Sequence, residues 1–467
     1  MTLERALASL KDGADQVIET SCATVVLKGD RAYKLKKSVD YGFLDFTSAD
    51  KRRTALEREL QFNQRAAASI YREVTEIEGE SVLVMRRFDT HAVLSERATP
   101  DWQPDMGLMQ DLGETIAAFH AGAAVCQDET HARNIKYTID SNAKHIALFR
   151  DRLGEATVNV YETAIQAAWR ASEGDVRRRF VDGHIRQCHG DLHLGNILVE
   201  DGRPVLFDCI EFNDHLIQVD VLYDLAFLLM DLWVRDQPAA ANRVFNAWLE
   251  TAARREPDES GLYSGLKLLP LYLSARAGVR CHVSAHNGEI DKARLYLDAA
   301  LAFLRPPPAT LSAIGGLSGS GKSTVARQEA PAKGRPPGAV ILRSDELRKR
   351  LWNCAPLDRL PPEAYAPEQS VRTHDYMFSL AETVLRAGQP VVLDATFREA
   401  KWRDRAEAMA RIAGVAFDGL WLDVSAETRA ARVDKRVSDV SDATVSVASA
   451  QEAVDPFTIS WQIRRED

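Results

Sequence analysis

The sequence lacks the features of a membrane or secreted protein. No apolar run approaches the roughly 20 residues of a membrane-spanning helix. The first residues alternate charged and apolar side chains instead of forming the continuous apolar core of a secretory signal. The six cysteines form no C-x-x-C pair and no cluster with histidine. These absences predict a cytoplasmic protein with reduced thiols and without a membrane partner.

Excess charge is also missing from the last third of the chain. The 467 residues carry a net charge of -9, but acidic and basic residues are equal in number after Arg305, so the acidic excess lies before it. An acidic surface favours a cationic small-molecule substrate and disfavours nucleic acid as its partner. The even charge of the last third makes nucleic acid an unfavoured partner there, without excluding it. The length predicts two or three domains.

The stretch around residues 188–212 carries a phosphotransfer signature. His189, Asp191 and Asn196 have the spacing H-x-D-x-x-x-x-N of a kinase catalytic loop, and an F-D pair ending in Asp208 follows a dozen residues later. Phosphoryl transfer needs a carboxylate beside the acceptor hydroxyl, here Asp191, and oxygen ligands for Mg²⁺, here Asn196 and Asp208. Apolar runs on either side of the Asp201 turn predict a hairpin that brings the two metal ligands together.

This stretch resembles the aminoglycoside phosphotransferase branch of the protein-kinase-like fold, whose loop reads H-G-D-x-H-x-x-N. The resemblance implies an α+β kinase domain with Asp191 as the base and Asn196 and Asp208 on the metal. His193 matches the pattern as well, and we interpret it as a residue that shapes the loop, with a direct role as the less favoured alternative. Glu211 is either a further metal neighbour or a structural carboxylate. We expect Asp224, at the start of an apolar helix, to tie down the catalytic loop.

The first 36 residues predict a helix over residues 1–20 and then a hairpin of residues 23–27 and 31–35. The second strand carries Lys34 where kinases keep the lysine that contacts the nucleotide phosphates. Lys36 lies on the same face of the strand and is the alternative.

A helix rich in charged residues follows, and it carries Glu59 as the predicted ion-pair partner of Lys34, with Glu57 as second choice. No G-x-G-x-x-G motif precedes Lys34, so residues 19–22 would have to cover the phosphates. Residues 82–85 predict the strand before the adenine-binding hinge. Helices are predicted over residues 106–126, 142–183 and 238–304.

Three consecutive prolines after Arg305 predict a stiff linker, so we place one domain at residues 1–304, the linker at 305–310 and a second domain at 311–467. Directly after the linker, a short strand leads into G-x-x-x-x-G-K-S and then a helix, which is a complete Walker A motif in its expected context. Lys322 would contact the terminal phosphates and Ser323 would bind Mg²⁺.

Later residues of the second domain complete a candidate kinase site. A buried strand ends at Asp394, which fits a Walker B role at the metal. Asp345 and Arg348 lie three apart on one helix face. An arginine-rich segment carries Arg429, Arg432 and Arg436, which could close over the phosphates, although a surface role is as plausible for each. The residues assigned to nucleotide binding here are Gly316, Gly319, Gly321, Lys322, Ser323, Thr324, Arg432 and Arg436.

The second domain resembles the small α/β P-loop kinases with a parallel sheet, such as gluconate kinase, zeta toxin and the 5'-hydroxyl polynucleotide kinases. The resemblance implies Asp345 as the base for the acceptor and Arg348 as the residue that holds it. The whole chain resembles a family described as bifunctional aminoglycoside phosphotransferase and ATP-binding proteins. We therefore expect an ATP- and Mg²⁺-dependent kinase that acts on hydroxyl groups of small molecules in both domains. The alternatives are a polynucleotide 5'-kinase or a regulatory NTPase in the second domain, and a binding protein with decayed sites.

Overall fold

The computed structural model describes residues 2–40, 44–256, 259–435, 440–446, 451 and 459–466. It divides into two compact units. Unit 1 is Met1–Arg235 with Ala275–Ala300, and unit 2 is Asp236–Ser274 with Leu301–Asp467. Within the described ranges, none of the helices combines the length and the hydropathy that a membrane span requires.

The described α-helices are α1 (Thr2–Lys11), α2 (Ala49–Ala67), α3 (Leu94–Arg97), α4 (Met106–Ala121), α5 (Asn134–Ala147), α6 (Arg150–Leu153), α7 (Glu155–Val181), α8 (Asp214–Ile217), α9 (Val221–Val234), α10 (Pro238–Ala253), α11 (Ser260–Ser264), α12 (Leu269–His286), α13 (Ile290–Phe303), α14 (Lys322–Glu329), α15 (Ser344–Leu351), α16 (Pro367–Arg386), α17 (Ala400–Ala413) and α18 (Ala426–Asp434). The described strands are β1 (Gln16–Glu19), β2 (Ala23–Lys28), β3 (Arg31–Lys36), β4 (Tyr71–Ile77), β5 (Glu80–Arg86), β6 (Ile185–Gln187), β7 (Ile197–Glu200), β8 (Arg203–Leu206), β9 (Gln218–Asp220), β10 (Thr310–Gly316), β11 (Val340–Arg343), β12 (Val391–Asp394), β13 (Ala416–Val424) and β14 (Gln462–Glu466).

Unit 1 begins with a five-stranded antiparallel sheet in the order β1-β2-β3-β5-β4. The predicted hairpin of β2 and β3 and the predicted strand β5 are present, and α2 packs on the sheet. The predicted helix over residues 1–20 is wrong in its second half. Gly13 adopts a φ of +68° beyond the end of α1, and the short V-I-E run then pairs with β2 as strand β1.

The rest of unit 1 is mainly helical. The predicted helix over residues 142–183 is three helices, α5, α6 and α7, because Gly154 with a φ of +95° separates the last two. The hairpin β7-β8 lies where the sequence predicts it, and α9 is an almost completely buried helix.

Unit 2 contains a five-stranded sheet in the order β11-β12-β10-β13-β14, and all its strand pairs are parallel. Apolar residues of β10, β12 and β13 pack with α14 in its core. The Walker A motif lies between β10 and α14, and Asp394 ends β12. The carboxyl ends of β10 and β12 are neighbours, which brings these two motifs together.

Residues 236–274 pack with unit 2, although the sequence prediction groups them with the first domain. Asn242 and Asn246 lie four residues apart on α10 and face the edge strand β11. The Asn246 Oδ1 accepts a hydrogen bond from the Ile341 backbone N–H at 2.8 Å, and both asparagine Nδ2 atoms donate to the Ala339 carbonyl. The amide side chains therefore form hydrogen bonds with backbone groups at an edge of the sheet that would otherwise be unpaired.

Candidate active sites

The catalytic loop of unit 1 runs from the end of β6 to the start of β7. The Asn196 Nδ2 donates to both the backbone carbonyl and the Oδ2 of Asp191, at 2.9 and 3.0 Å. The His193 Nε2 lies 3.4 Å from the same Oδ2, while its Nδ1 accepts from the Gly195 N–H at 3.0 Å. Burial opposes ionisation of Asp191, but the His193 hydrogen bond and nearby positive charge lower its pKa well below the ordinary value. Asp191 is therefore ionised and partly exposed, as an acceptor of a proton must be.

Asp224 at the start of α9 anchors this loop, as the sequence predicts. Its carboxylate accepts from the backbone N–H groups of His189 and Gly190 at 3.1 and 2.9 Å and lies 3.1 Å from the His120 Nε2. Gly190 adopts a φ of +85°, and a Cβ there would lie 3.0 Å from the Leu216 carbonyl oxygen. Both features fix the backbone immediately before Asp191.

His189 connects the catalytic loop to the end of β8. Its Nε2 lies 2.9 Å from the Phe207 carbonyl oxygen, so this nitrogen carries the hydrogen, and its Nδ1 accepts from the Asp191 N–H at 3.3 Å. Burial lowers its pKa, which keeps the ring neutral and suits both contacts.

The predicted lysine and glutamate meet in unit 1. The Lys34 Nζ lies 2.6 Å from one Glu59 oxygen and 3.3 Å from Asp208 Oδ1. The alternative lysine takes part too, because the Lys36 Nζ lies 2.6 Å from the other Glu59 oxygen and 2.6 Å from Glu211. Burial of Glu59 opposes its ionisation, but the two lysines outweigh it and lower its pKa to about 2. The structure thus brings together one carboxylate and both candidate lysines.

The structure also distinguishes the alternative roles predicted for Glu57 and Glu211. Glu57 is exposed and pairs with Arg53 at 3.0 Å, so it faces away from Lys34. Glu211 is buried and pairs with Lys36, which makes it a structural carboxylate in this arrangement. Burial and the neighbouring Glu59 raise the pKa of Glu211.

Two residues that no motif predicts hold the backbone at Asp208 and Cys209, and Asp208 has the left-handed φ of +60°. The Asp208 N–H donates to the Tyr71 hydroxyl at 3.1 Å. Asn63 accepts from the Cys209 N–H at 2.8 Å and donates to the Glu59 carbonyl at 3.0 Å. Asn63 follows Glu59 by one helical turn, so the i,i+4 spacing was an available signal. Tyr71 has no comparable motif.

A cleft of about 940 Å³ opens at the segment that follows β5. It is lined by this segment (residues 86–92), by the ends of β1 and β2, and by residues 198–201 of the hairpin β7-β8. This segment follows residues 82–85, the strand that the sequence predicts to precede the adenine-binding hinge. Lys34 and Asp191 are not among the lining residues.

The backbone conformation and the close packing of the Walker A loop in unit 2 require glycine at three positions. Gly316, Gly319 and Gly321 have φ values of +142°, +87° and +92°. A Cβ on Gly319 would lie 2.5 Å from the Arg429 carbonyl oxygen, and one on Gly316 would lie 2.6 Å from the Ser320 Oγ. Lys322 and Thr324 begin α14, and the Lys322 Nζ donates to the Leu317 carbonyl at 3.0 Å.

The two predicted metal ligands of unit 2 are in direct contact. The Ser323 Oγ donates to Asp394 Oδ2 at 2.7 Å, and the Arg343 Nε lies 3.7 Å from the same oxygen. The hydroxyl and carboxylate oxygens, next to the loop backbone, are a donor set that Mg²⁺ prefers.

Two of the three predicted arginines contact the loop backbone. The Arg432 Nη1 donates to the Ser320 carbonyl at 3.2 Å, and the Arg429 Nη1 donates to the Ser318 carbonyl at 3.4 Å. Arg436 lies outside the described residues.

Asp345 and Arg348 lie in the first two turns of α15. The Arg348 Nη1 donates to the Ala364 carbonyl at 2.6 Å, and its guanidinium lies 4.9 Å from the centre of the Tyr365 ring. Burial lowers the pKa of Arg348, and the negative charge of Asp345 opposes this shift. Asp345 is partly exposed.

Among the described residues, one group of potential metal ligands converges to within 4.8 Å, namely His120, Cys188 and Asp224. All three are buried, and the Asp224 carboxylate already accepts two backbone hydrogen bonds. The Arg276 guanidinium lies 3.6 Å from Asp224 as well. These contacts define an anchor for the catalytic loop instead of a cation site.

Two family models match the chain. Residues 43–259 match the phosphotransferase enzyme family, and this range contains Glu59, Asp191 and Asp208. Residues 311–455 match an AAA domain, and this range contains the Walker A loop and Asp394.

Relatives match over nearly the whole length. An uncharacterized protein of Mycobacterium tuberculosis is 29% identical over 454 residues, which cover 93% of this chain and 89% of the relative. A Mycobacterium bovis protein, also uncharacterized, has the same values. Among solved structures, the APS kinase of Mycobacterium tuberculosis is 25% identical, covers 28% of this chain and 71% of its own, and has a TM-score of 0.23. The ethanolamine kinase of Plasmodium vivax is 12% identical, covers 61% and 81%, and has a TM-score of 0.38.

Proposed function

Since residues 43–259 match the phosphotransferase enzyme family and residues 311–455 match an AAA domain, we propose that the chain is a kinase in which each domain binds ATP and Mg²⁺ and phosphorylates a hydroxyl group of a small molecule. Two groups of contacts carry the proposal. Lys34, Glu59 and Asp208 meet in one ion-pair network, although they lie far apart in the sequence. Asp191 and Asn196 meet in a second contact on the loop that His189 ties to the end of β8.

In the first domain, Asp191 accepts the proton of the acceptor hydroxyl as that oxygen bonds to the terminal phosphorus of ATP and ADP leaves. Its lowered pKa keeps it ionised for this step. Lys34 contacts the phosphates, and Glu59 orients it. Asn196 and Asp208 would hold Mg²⁺, which neutralises phosphate charge. Asn196 and Asp208 flank the paired ends of β7 and β8, where the Phe207 N–H donates to the Asn196 carbonyl at 3.1 Å.

In the second domain, the loop of residues 316–323 surrounds the phosphates with backbone N–H groups, and Lys322 adds a positive charge. Ser323 and Asp394 would hold Mg²⁺, and Arg432 lies beside the loop. Asp345 is the proposed base and Arg348 the proposed contact for the acceptor. We propose that Arg436 also belongs to the nucleotide site.

The test is ADP formation by the full-length protein with a panel of amino alcohols, sugars, aminoglycosides, nucleosides and 5'-hydroxyl oligonucleotides. Asp191→Asn should remove turnover of one acceptor by about 10²- to 10⁴-fold while ATP still binds. Lys322→Ala should remove turnover of a different acceptor.

Two exposed sites provide matched controls. Asp291→Asn changes an almost completely exposed residue in the first turn of α13, and Lys435→Ala changes a lysine that follows α18. Both should keep full activity. Full turnover of every acceptor by Asp191→Asn would refute the role of the first domain. If both site variants lose turnover of the same acceptor, the two domains form a single coupled enzyme. If the second domain phosphorylates only the oligonucleotide, its acceptor is a nucleic acid and not a small molecule.

A further inference from the structure

Three histidines that take no part in either candidate site lie together in unit 1. His145 is on α5, and His282 and His286 are on α12. The ring of His145 lies 5.1 Å from that of His282 and 5.7 Å from that of His286, measured between ring centres. The rings of His282 and His286 are 6.0 Å apart.

Two of these rings present a nitrogen lone pair. The His145 Nδ1 lies 2.8 Å from the Ser141 carbonyl oxygen, and the His286 Nδ1 lies 2.8 Å from the His282 carbonyl oxygen. A carbonyl oxygen only accepts hydrogen bonds, so each Nδ1 carries the hydrogen. In a neutral ring the Nε2 then keeps its lone pair, which is the arrangement of metal-binding histidines whose second nitrogen donates to a backbone carbonyl.

The third ring is held neutral. Burial and the neighbouring rings of His145 and His286 lower the pKa of His282 to about 4. Near neutral pH the ring of His282 is therefore unprotonated, and one of its ring nitrogens carries a lone pair.

The spacing on α12 is that of a helical metal site. Residues four apart share one helix face, so His282 and His286 can bind one ion together. His145 approaches from the facing helix, and Phe149 packs at 4.8 Å against the ring of His286. The nitrogens of the three rings are not all within 4.8 Å of one another, so binding requires a ring rotation. His286 is exposed at the end of α12, and the rings of His145 and His282 are stacked with an interplanar angle of 28°, so one ring of this pair must turn as well.

We propose that His145, His282 and His286 bind one transition-metal cation of the Zn²⁺ or Co²⁺ type through their ring nitrogens. Imidazole nitrogen suits these ions, whereas Mg²⁺ prefers the oxygen ligands of the two kinase sites. The bound ion links α5 to α12 and stabilises the packing of these helices.

The test uses the full-length protein without a histidine tag and with millimolar Mg²⁺ to fill the oxygen-rich sites. Co²⁺ is added while its visible absorption is recorded, and Zn²⁺ is then used to displace it. We expect one equivalent of Co²⁺ in a nitrogen environment. Binding should weaken at least about tenfold in His286→Ala and in His282→Ala. Zn²⁺ should also raise the thermal midpoint of the natural protein more than that of His286→Ala.

His91→Ala is the control, because His91 is an exposed histidine outside the cluster. It should bind Co²⁺ as the natural protein does. His286 ends its helix, so its replacement should leave the fold intact, which circular dichroism checks. The proposal is overturned if the natural protein shows no Co²⁺ band, or if His286→Ala folds normally and binds Co²⁺ with unchanged affinity.

Discussion

Two lysines of β3 share one carboxylate but have different surroundings. Lys34 faces Asp208, which is half exposed, whereas Lys36 is buried between Glu59 and Glu211. Lys34→Met should therefore lower kcat/KM of the first domain on the order of 10²-fold, as expected when a charge that stabilises the transferring phosphoryl group is lost. Lys36→Met should lower the free energy of unfolding of unit 1 by about 3–5 kcal/mol, because it leaves buried carboxylates without their partner.

Denaturant unfolding and steady-state kinetics separate these two effects. Lys37→Met is the matched control, since Lys37 forms its ion pair with Glu19 at an exposed site and should change the free energy of unfolding by at most about 1 kcal/mol. If Lys36→Met leaves the stability unchanged, the buried network does not contribute as proposed.

His184 makes a pH prediction. It is buried, and burial together with the charge of Arg179 lowers its pKa to about 3. The folded state then leaves the ring neutral while the unfolded chain, with a pKa near 6.5, takes up a proton. Stability from this group is complete above about pH 6.5 and is lost as the pH falls toward 3. His184→Gln should reduce the pH dependence of unfolding in that window by at most about 1.4 kcal/mol per pH unit. Equal slopes in the two proteins would contradict this.

The spacing of residues within the motifs predicted several contacts between site residues, but not the residues that hold those site residues in place. The pairing of Lys34 with Glu59 and the contact of Ser323 with Asp394 join residues that the motifs had already named. The motifs could not name Tyr71 or Arg276, because a hydrogen bond to a distant backbone group leaves no pattern in the sequence. Arg276 donates to the Gly190 carbonyl from 86 residues away.

At the scale of elements, the glycines of the Walker A loop allow a positive φ and also allow a neighbouring backbone to pack closely against the loop. Gly319 and Gly414 both have positive φ, but a Cβ on Gly414 meets nothing within 4 Å. Gly414→Ala should cost about 1–2 kcal/mol of stability through backbone strain and leave nucleotide binding unchanged. Gly319→Ala adds a clash with Arg429 and should reduce turnover by the second domain on the order of 10²-fold. Binding of a fluorescent ATP analogue and turnover by both variants check this, and equal behaviour would refute the packing argument.

The asparagines of α10 make a second prediction about an element. Asn246→Ala removes the acceptor of the Ile341 N–H on the edge strand β11 and should destabilise unit 2 by about 1–3 kcal/mol. Asn159→Ala, at an exposed position of α7, is the matched control and should not destabilise the protein. Thermal unfolding of the two variants gives the comparison. An Asn246→Ala protein as stable as the control would mean that water replaces the lost contact.

The sequence predicted elements best where a motif and a period agree. The hairpins β2-β3 and β7-β8 and the strands β10 and β12 lie where predicted because apolar runs, turn residues and motifs coincide. The helix predicted over residues 1–20 is longer than α1, because the V-I-E run of β1 fits the period of a helix as well as that of a strand. Strands β4 and β14 were not predicted at all. Strand β14 pairs with β13 from the far end of the chain, and such a pairing cannot be read from local pattern.

At the scale of the whole molecule, both family matches confirm the predicted pair of folds. The packing units divide the chain differently from the predicted linker at residues 305–310, because residues 236–274 pack with unit 2. Arg350 of α15 pairs with Glu250 at 2.9 Å and with Glu259, and the Arg254 Nη1 donates to the Cys354 carbonyl at 2.9 Å. A proline-rich stretch marks a break in the chain, but it does not say which helices pack on either side.

This difference predicts how fragments behave. A fragment of residues 306–467 lacks α10 and α11, so Arg350 loses its partners and β11 becomes an open edge that can pair with another molecule. We expect this fragment to aggregate or to unfold at lower denaturant concentration than a fragment of residues 236–467. The longer fragment should bind an ATP analogue with the affinity of the full chain. Sedimentation and binding of the ATP analogue compare the two fragments. If the shorter fragment is monomeric and binds the analogue equally well, the linker marks the limit of a domain that folds by itself. Residues 236–274 are then not required for its folding.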